Sequence, residues 1–148
     1  MKGIIEKIKN NKNVRYEVKD EKMIIYNIDN SNNIEVIEET YSSKTDSVIE
    51  YIVSFSTQHC HFDNIGEVLE YINNIMDDQV LPIEFYYHNE KRFGGEISLD
   101  QFTSLSITLL GDIFGFCEEF ISKYDYEIHS WSGKNDIERQ PVINLKEN

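Results

Sequence analysis

Between Val14 and Gln58 the chain carries four segments rich in Ile, Val, Tyr and Thr, at 14–19, 22–29, 33–41 and 47–58. Asp20-Glu21, Asn30-Ser31-Asn32 and the stretch from Ser42 to Asp46 separate them. β-branched and aromatic residues suit a pleated, half-buried surface. A crossover between parallel strands needs a dozen residues or more, and these connections are far shorter. The region therefore predicts an antiparallel meander. In its last strand Ile49, Tyr51, Val53 and Phe55 fall on one face. Glu50, Ile52, Ser54 and Ser56 fall on the other, the pattern of a sheet with one wet side.

Helical spacing is found on either side of the meander. Residues 3–12 place Ile4, Ile5 and Ile8 on one face. Residues 64–78 carry Ile65, Val68, Leu69, Ile72, Ile75 and Met76 as one apolar stripe, with Asp63 in the N-cap position and Pro82 beyond the end. Leu81, Ile83, Phe85 and Tyr87 then alternate as a strand. Phe93, Gly95, Ile97 and Leu99 are its hairpin partner, turning at His88-Asn89-Glu90-Lys91. Leu105, Ile107 and Leu109 predict another strand, and Asp112 caps a helix over 113–123 with Ile113, Phe116, Cys117, Phe120 and Ile121 inward. Tyr126, Ile128 and Ser130 predict a last strand before a turn at Ser132-Gly133. The expected fold is α+β: a mainly antiparallel sheet, meander plus hairpin, packed with two or three helices. With 148 residues, two prolines and no linker-like stretch, one domain over 1–148 is expected.

Charge narrows the classes of function. The formal net charge is −13, from 27 acidic and 14 basic residues. Residues 23–90 hold 13 of the acids and one base, Lys44, whereas residues 1–22 carry seven bases and four acids. Phosphate contacts need clustered Lys and Arg, so general nucleic-acid binding is not expected. Docking to anionic lipid is excluded on the same ground, and no apolar run reaches the roughly 18 residues of a membrane helix. The start of the chain has no apolar stretch of the signal-peptide kind, and two cysteines, Cys60 and Cys117, make no disulfide framework. A cytoplasmic location is expected.

No motif names a reaction. His59-Cys60-His61 would present two imidazoles to one face of a strand, but a zinc site needs three or four ligands and no second cluster accompanies it. Cys60 as a nucleophile is opposed by Asp63 beside it. Lys91-Arg92-Phe93-Gly94-Gly95-Glu96 lacks the spacing of a phosphate loop and reads as a bulged strand. Trp131 is either a core plug or an exposed anchor. No catalytic residue, metal or cofactor is expected.

The carboxylates Glu35, Glu38, Glu39, Asp46 and Glu50 lie on or between two neighbouring strands, and Glu67 and Glu70 extend the charge along the helix. They form the candidate partner-binding set, since a field of one sign steers a cationic partner. Tyr26, Tyr41, Tyr51, Tyr71, Tyr86 and Tyr87 are candidate anchors beside them.

The meander at 14–58, the helix Phe62-Asp63-Asn64-Ile65-Gly66-Glu67-Val68-Leu69-Glu70-Tyr71-Ile72, the turn Arg92-Phe93-Gly94-Gly95-Glu96 and the late helix at 113–123 together resemble the small acidic immunity proteins of bacterial polymorphic-toxin systems. The resemblance lies in layout and composition over most of the chain. It implies a non-enzymatic inhibitor that occludes a toxin, often a basic nuclease. Two other expectations compete with it. One is a small metal-binding or catalytic protein centred on His59, Cys60 and His61. The other is a structural, homo-oligomeric adaptor.

Overall fold

The computed structural model describes residues 1–9, 14–29, 32–42 and 47–145. The fold is α+β, with two antiparallel sheets and five short α-helices among the described residues. The chain divides into two compact units, Met1–Asp77 with Trp131–Gly133, and Asp78–Ser130 with Lys134–Asn148.

The first unit contains α1 (Lys2–Ile8), β1 (Val14–Lys19), β2 (Lys22–Asn27), β3 (Asn33–Ser42), β4 (Ser47–Phe55), β5 (Gln58–Phe62) and α2 (Ile65–Met76). The five strands form one meander in sequence order. The segment expected as one strand over 47–58 is instead a strand and the start of the next. Ser56 takes φ 54° there and reverses the chain, without the glycine or proline that would mark the turn. Met23, Ile25, Ile34, Val36, Val53 and Phe55 share one face and are buried. Their register is Ile25 to Ile34, Met23 to Val36, Val36 to Val53 and Ile34 to Phe55.

That face is covered by α2, whose Val68, Ile72 and Ile75 are buried, and by Ile4 and Ile8 of α1. A Cβ at Gly3 would meet Ile65 Cδ1 at 2.9 Å, so the two helices touch here and a larger residue would have to displace the end of the Ile65 side chain. The N-cap of α2 is Asn64, not Asp63: its side chain accepts from the Glu67 N–H at 3.0 Å. Trp131 belongs to this unit's core. It is buried beside Phe55, and its carbonyl accepts from the Asn27 side chain at 2.8 Å.

The second unit contains β6 (Val80–Tyr87), β7 (Glu90–Ser98), α3 (Leu99–Thr103), α4 (Ile107–Phe114), α5 (Glu118–Ile121), β8 (Asp125–Ile128), β9 (Ile137–Pro141) and a 3-10 turn at Val142–Asn144. The strand order is β7-β6-β8-β9. Leu81, Ile83, Phe85, Ile97, Tyr126 and Ile128 form its core with Ile107, Leu110 and Ile121 of the helices.

Here the helices differ from expectation. Leu105, Ile107 and Leu109 belong to no strand. Ser106 caps α4 by accepting from the Leu109 N–H at 3.1 Å, and Ile107, Leu110 and Gly111 make the buried helical face. The expected helix over 113–123 is interrupted, because Gly115 at φ 71° ends α4 in a left-handed cap and α5 begins only at Glu118. The hairpin turns at His88 and Asn89, both at positive φ. Its bulge leaves Arg92 unpaired between Lys91 and Phe93 and does not involve the two glycines. No helix among the described residues is long and apolar enough to cross a membrane.

Candidate functional site

β2 pairs with β3 only as far as Ile37, and β5 pairs with β4 only from Tyr51 onward. Residues 38–42 and 47–50 therefore run past the five-stranded sheet as a two-stranded ribbon. A two-stranded ribbon is marginal in water by itself. This one also exposes Tyr41, Val48 and Ile49, at 53%, 54% and 44%. On the face away from the helices, Glu39 stands directly opposite Glu50. Like charges in that position repel.

The Tyr41 hydroxyl donates to Glu39, and His61 Nδ1 lies 2.8 Å from Glu50 Oε1. The hydrogen bond to Glu39, desolvation and the charges of Glu39 and Glu50 push the Tyr41 phenol up to about 12. No Lys or Arg is found among the described residues of the ribbon.

The candidate carboxylates do not make one surface. Glu35, Glu39 and Glu50 lie on the helix-free face, Glu35 already paired with Lys22 at 2.8 Å. Glu38 points to the other face, where it takes the amino terminus at 2.6 Å. Glu67 and Glu70 are exposed on α2, which packs on that covered face, so they lie across the sheet from Glu39 and Glu50. Asp46 lies outside the described residues.

The alternation of β5 separates the His-Cys-His residues. His59 and His61 share the helix-free face with ring centroids 5.3 Å apart. Cys60 faces the helix, 3.4 Å from the Tyr71 hydroxyl. Among the described residues the two histidines have no third donor close enough to complete a metal site.

A second cluster, in the other unit, was not legible as a group. Glu84 of β6 stands opposite Glu127 of β8 and is only 2% exposed. The Tyr86 hydroxyl sits between them, 2.5 Å from Glu84 Oε2 and in contact with Glu127 Oε1. Lys91 Nζ approaches Glu84 at 3.5 Å, and Arg139 bonds Glu127 at 3.3 Å while lying 3.4 Å over the Tyr86 ring. His129 Nε2 is 3.5 Å from Glu127. Burial, then hydrogen bonds to Glu127 and Glu84, push the Tyr86 phenol far up.

Among the described residues Glu84, Glu127 and His129 are a set of three whose donor atoms all lie within 4.8 Å, close enough to hold a metal ion. Lys91 and Arg139 already oppose both carboxylates, however, so the cluster is electrostatically complete as an ion-pair network. The only sequence signal for it was one carboxylate inside the apolar run of β6. Compared with protein families, curated proteins and solved structures, the chain matches none.

Proposed function

We propose that this chain is a non-enzymatic binding protein of the cytoplasm, an immunity-type inhibitor that takes a cationic protein partner on the β3–β4 ribbon. The observation that carries the reading is the opposed pair Glu39 and Glu50, set beside exposed Tyr41, Val48 and Ile49 with no described cation on the ribbon. An exposed aromatic supplies contact area at small entropic cost, and uncompensated carboxylates steer a basic surface toward it.

The test pairs the chain with the products of neighbouring genes. One of them is expected to arrest growth when expressed alone and to be neutralised when this chain is co-expressed. Complex formation with that protein should weaken by about tenfold or more between low and physiological salt. The double variant Glu39→Lys, Glu50→Lys should lose protection. Protection undiminished by the double reversal would reject the acidic ribbon as the docking element.

A further inference from the structure

Among the described residues the ribbon also has a backbone edge with no strand beside it. In an antiparallel strand each residue sends its N–H and C=O to the same side, alternately toward one neighbour and the other. Glu38 donates its N–H to the Glu21 carbonyl at 2.9 Å, so Glu38, Thr40 and Ser42 direct their backbone groups toward the β2 side. β2 ends at Lys22, opposite Ile37, and no described strand continues beside Thr40 and Ser42.

We propose that the partner engages by adding a strand to this edge, in line with β2 and past the Asp20-Glu21 turn, and that the added strand carries Lys or Arg at alternate positions. This rests on the binding reading above and specifies its mode.

Three observations fix the chemistry of the incoming strand. First, its place is flanked by Asp20, Glu21, Glu38 and Glu39, of which Glu38 alone has a described cationic partner. Second, Glu39 and Tyr41 share one face, so alternate residues of an added strand would meet a carboxylate and then an aromatic ring. A cation suits both neighbours. Third, a cavity of about 490 Å³ opens beside the Asp20-Glu21 turn, where Ile24 and Ile37 can seat an apolar side chain and Glu17, Asp20 and Glu21 outnumber Lys19 and Lys22, the latter already paired with Glu35. Main-chain hydrogen bonds would then hold the partner, and the alternating side chains would select it.

Other edges suit such a strand less well. β1 carries Arg15 and Lys19, which repel it, and β5 presents His59 and His61 on the same face as Glu39.

The probe is a seven-residue peptide, Lys-Thr-Lys-Val-Lys-Thr-Lys, acetylated and amidated, with a Glu-for-Lys counterpart as control. Binding is followed by amide NMR and hydrogen exchange at low salt. The Lys peptide should bind saturably and slow exchange at Thr40 and Ser42 by about tenfold or more, and the Glu peptide should not bind. Thr40→Pro removes the outward N–H at an edge position that tolerates proline, and should weaken binding at least about tenfold, whereas Thr40→Ala should change it little.

If Thr40→Pro perturbs the sheet, exchange at Thr40 and Ser42 in the wild-type complex decides alone. Binding lost in the Glu39→Lys, Glu50→Lys variant but unaltered by Thr40→Pro, with no protection at Thr40, would overturn strand addition and leave the acidic docking surface standing. Binding equally strong to the charge-reversed variant would overturn that surface itself. No binding by the Lys peptide would overturn the alternating cationic strand, and the growth assay would still judge the function.

Discussion

The two units contain the same local arrangement in opposite settings. In each, a Glu-x-Tyr sequence places a carboxylate and a phenol two residues apart on one strand face: Glu39 with Tyr41, and Glu84 with Tyr86. Each glutamate stands in register against another across the ladder, Glu50 in one case and Glu127 in the other. Each opposing glutamate has a histidine beside it, His61 or His129.

The difference is compensation. Glu84 is buried and is met by Lys91, while Arg139 spans Glu127 and the Tyr86 ring. The Glu39–Glu50 pair is half-buried, with the Tyr41 hydroxyl and His61 as its hydrogen-bonding neighbours and no described Lys or Arg on its ribbon. Burying a charge without a partner is costly, so the buried pair had to acquire cations to fold at all. The half-buried Glu39–Glu50 pair faces less of that demand. Its charge is left over, and leftover charge is what a partner can use.

The strongest way to break the comparison is to remove compensation from the buried pair. Lys91→Met with Arg139→Met removes the two described cations from a pair of opposed carboxylates, one of them 2% exposed. Breaking buried ion pairs in this way costs about 3–5 kcal/mol. A urea titration should show the midpoint collapse. The matching change in the Glu39–Glu50 pair has no described Lys or Arg to remove, and Glu39→Gln should shift stability by no more than about 0.5 kcal/mol. A double cation variant as stable as the wild type would show that the buried pair is not held by charge.

Tyr86→Phe comes next. It removes the hydroxyl between Glu84 and Glu127 and should cost about 1–3 kcal/mol. It should also change the alkaline limb of stability. A phenol in the unfolded chain ionises near about 10, and that of Tyr86 in the folded chain is raised well above this. Above about pH 10 the unfolded chain has released a proton that the folded chain still holds, so stability falls as pH rises. Below that pH both states keep the proton and the contribution is intact. In Tyr86→Phe the fall should be shallower, leaving the shares of Tyr41, held up chiefly by Glu39, and of Tyr126 and Tyr51, whose phenols burial also raises. An unchanged alkaline slope would place the loss elsewhere.

The sequence exposed one of these two pairs and concealed the other for a physical reason. Period-two alternation and short connections specified the meander, because local pattern alone sets which face of a strand is wet. Glu39 and Glu50 were therefore visible on neighbouring strands, although their register was not. That Glu38 would face away from Glu39 follows from the same alternation and could have been read, whereas its contact with the amino terminus could not. The grouping of Glu84 with Glu127, Tyr86 and Arg139 depends on β6 pairing with β8, where Tyr86 and Glu127 are 41 positions apart, which no local pattern encodes.

The helices show a similar limit. Leu105, Ile107 and Leu109 satisfy strand alternation, yet the Ser106 cap and the added Leu110 make the helix the better burial. Gly115 split the expected late helix by adopting a left-handed conformation that its residue type permits without requiring. Ser56 turned the chain with no such signal at all.

The smallest effect is the most specific to the Glu39–Glu50 pair. The Tyr41 phenol is held up to about 12 chiefly by its hydrogen bond to Glu39, then by desolvation and the charges of Glu39 and Glu50. Tyr41 is solvent-exposed, so its titration can be followed by ultraviolet absorbance or side-chain NMR without unfolding the chain. Glu39→Gln removes the principal acceptor and one charge, and should bring the phenol down toward the ordinary value of about 10. Glu50→Gln removes only the weaker contributions and should lower it less. The order of the two effects matters more than their size. It separates a phenol tethered to Glu39 from one that senses a diffuse acidic field. Equal shifts in the two variants would mean that the ribbon's charge acts as a field alone. In that case Tyr41 would be free to swing toward a partner without first breaking a bond.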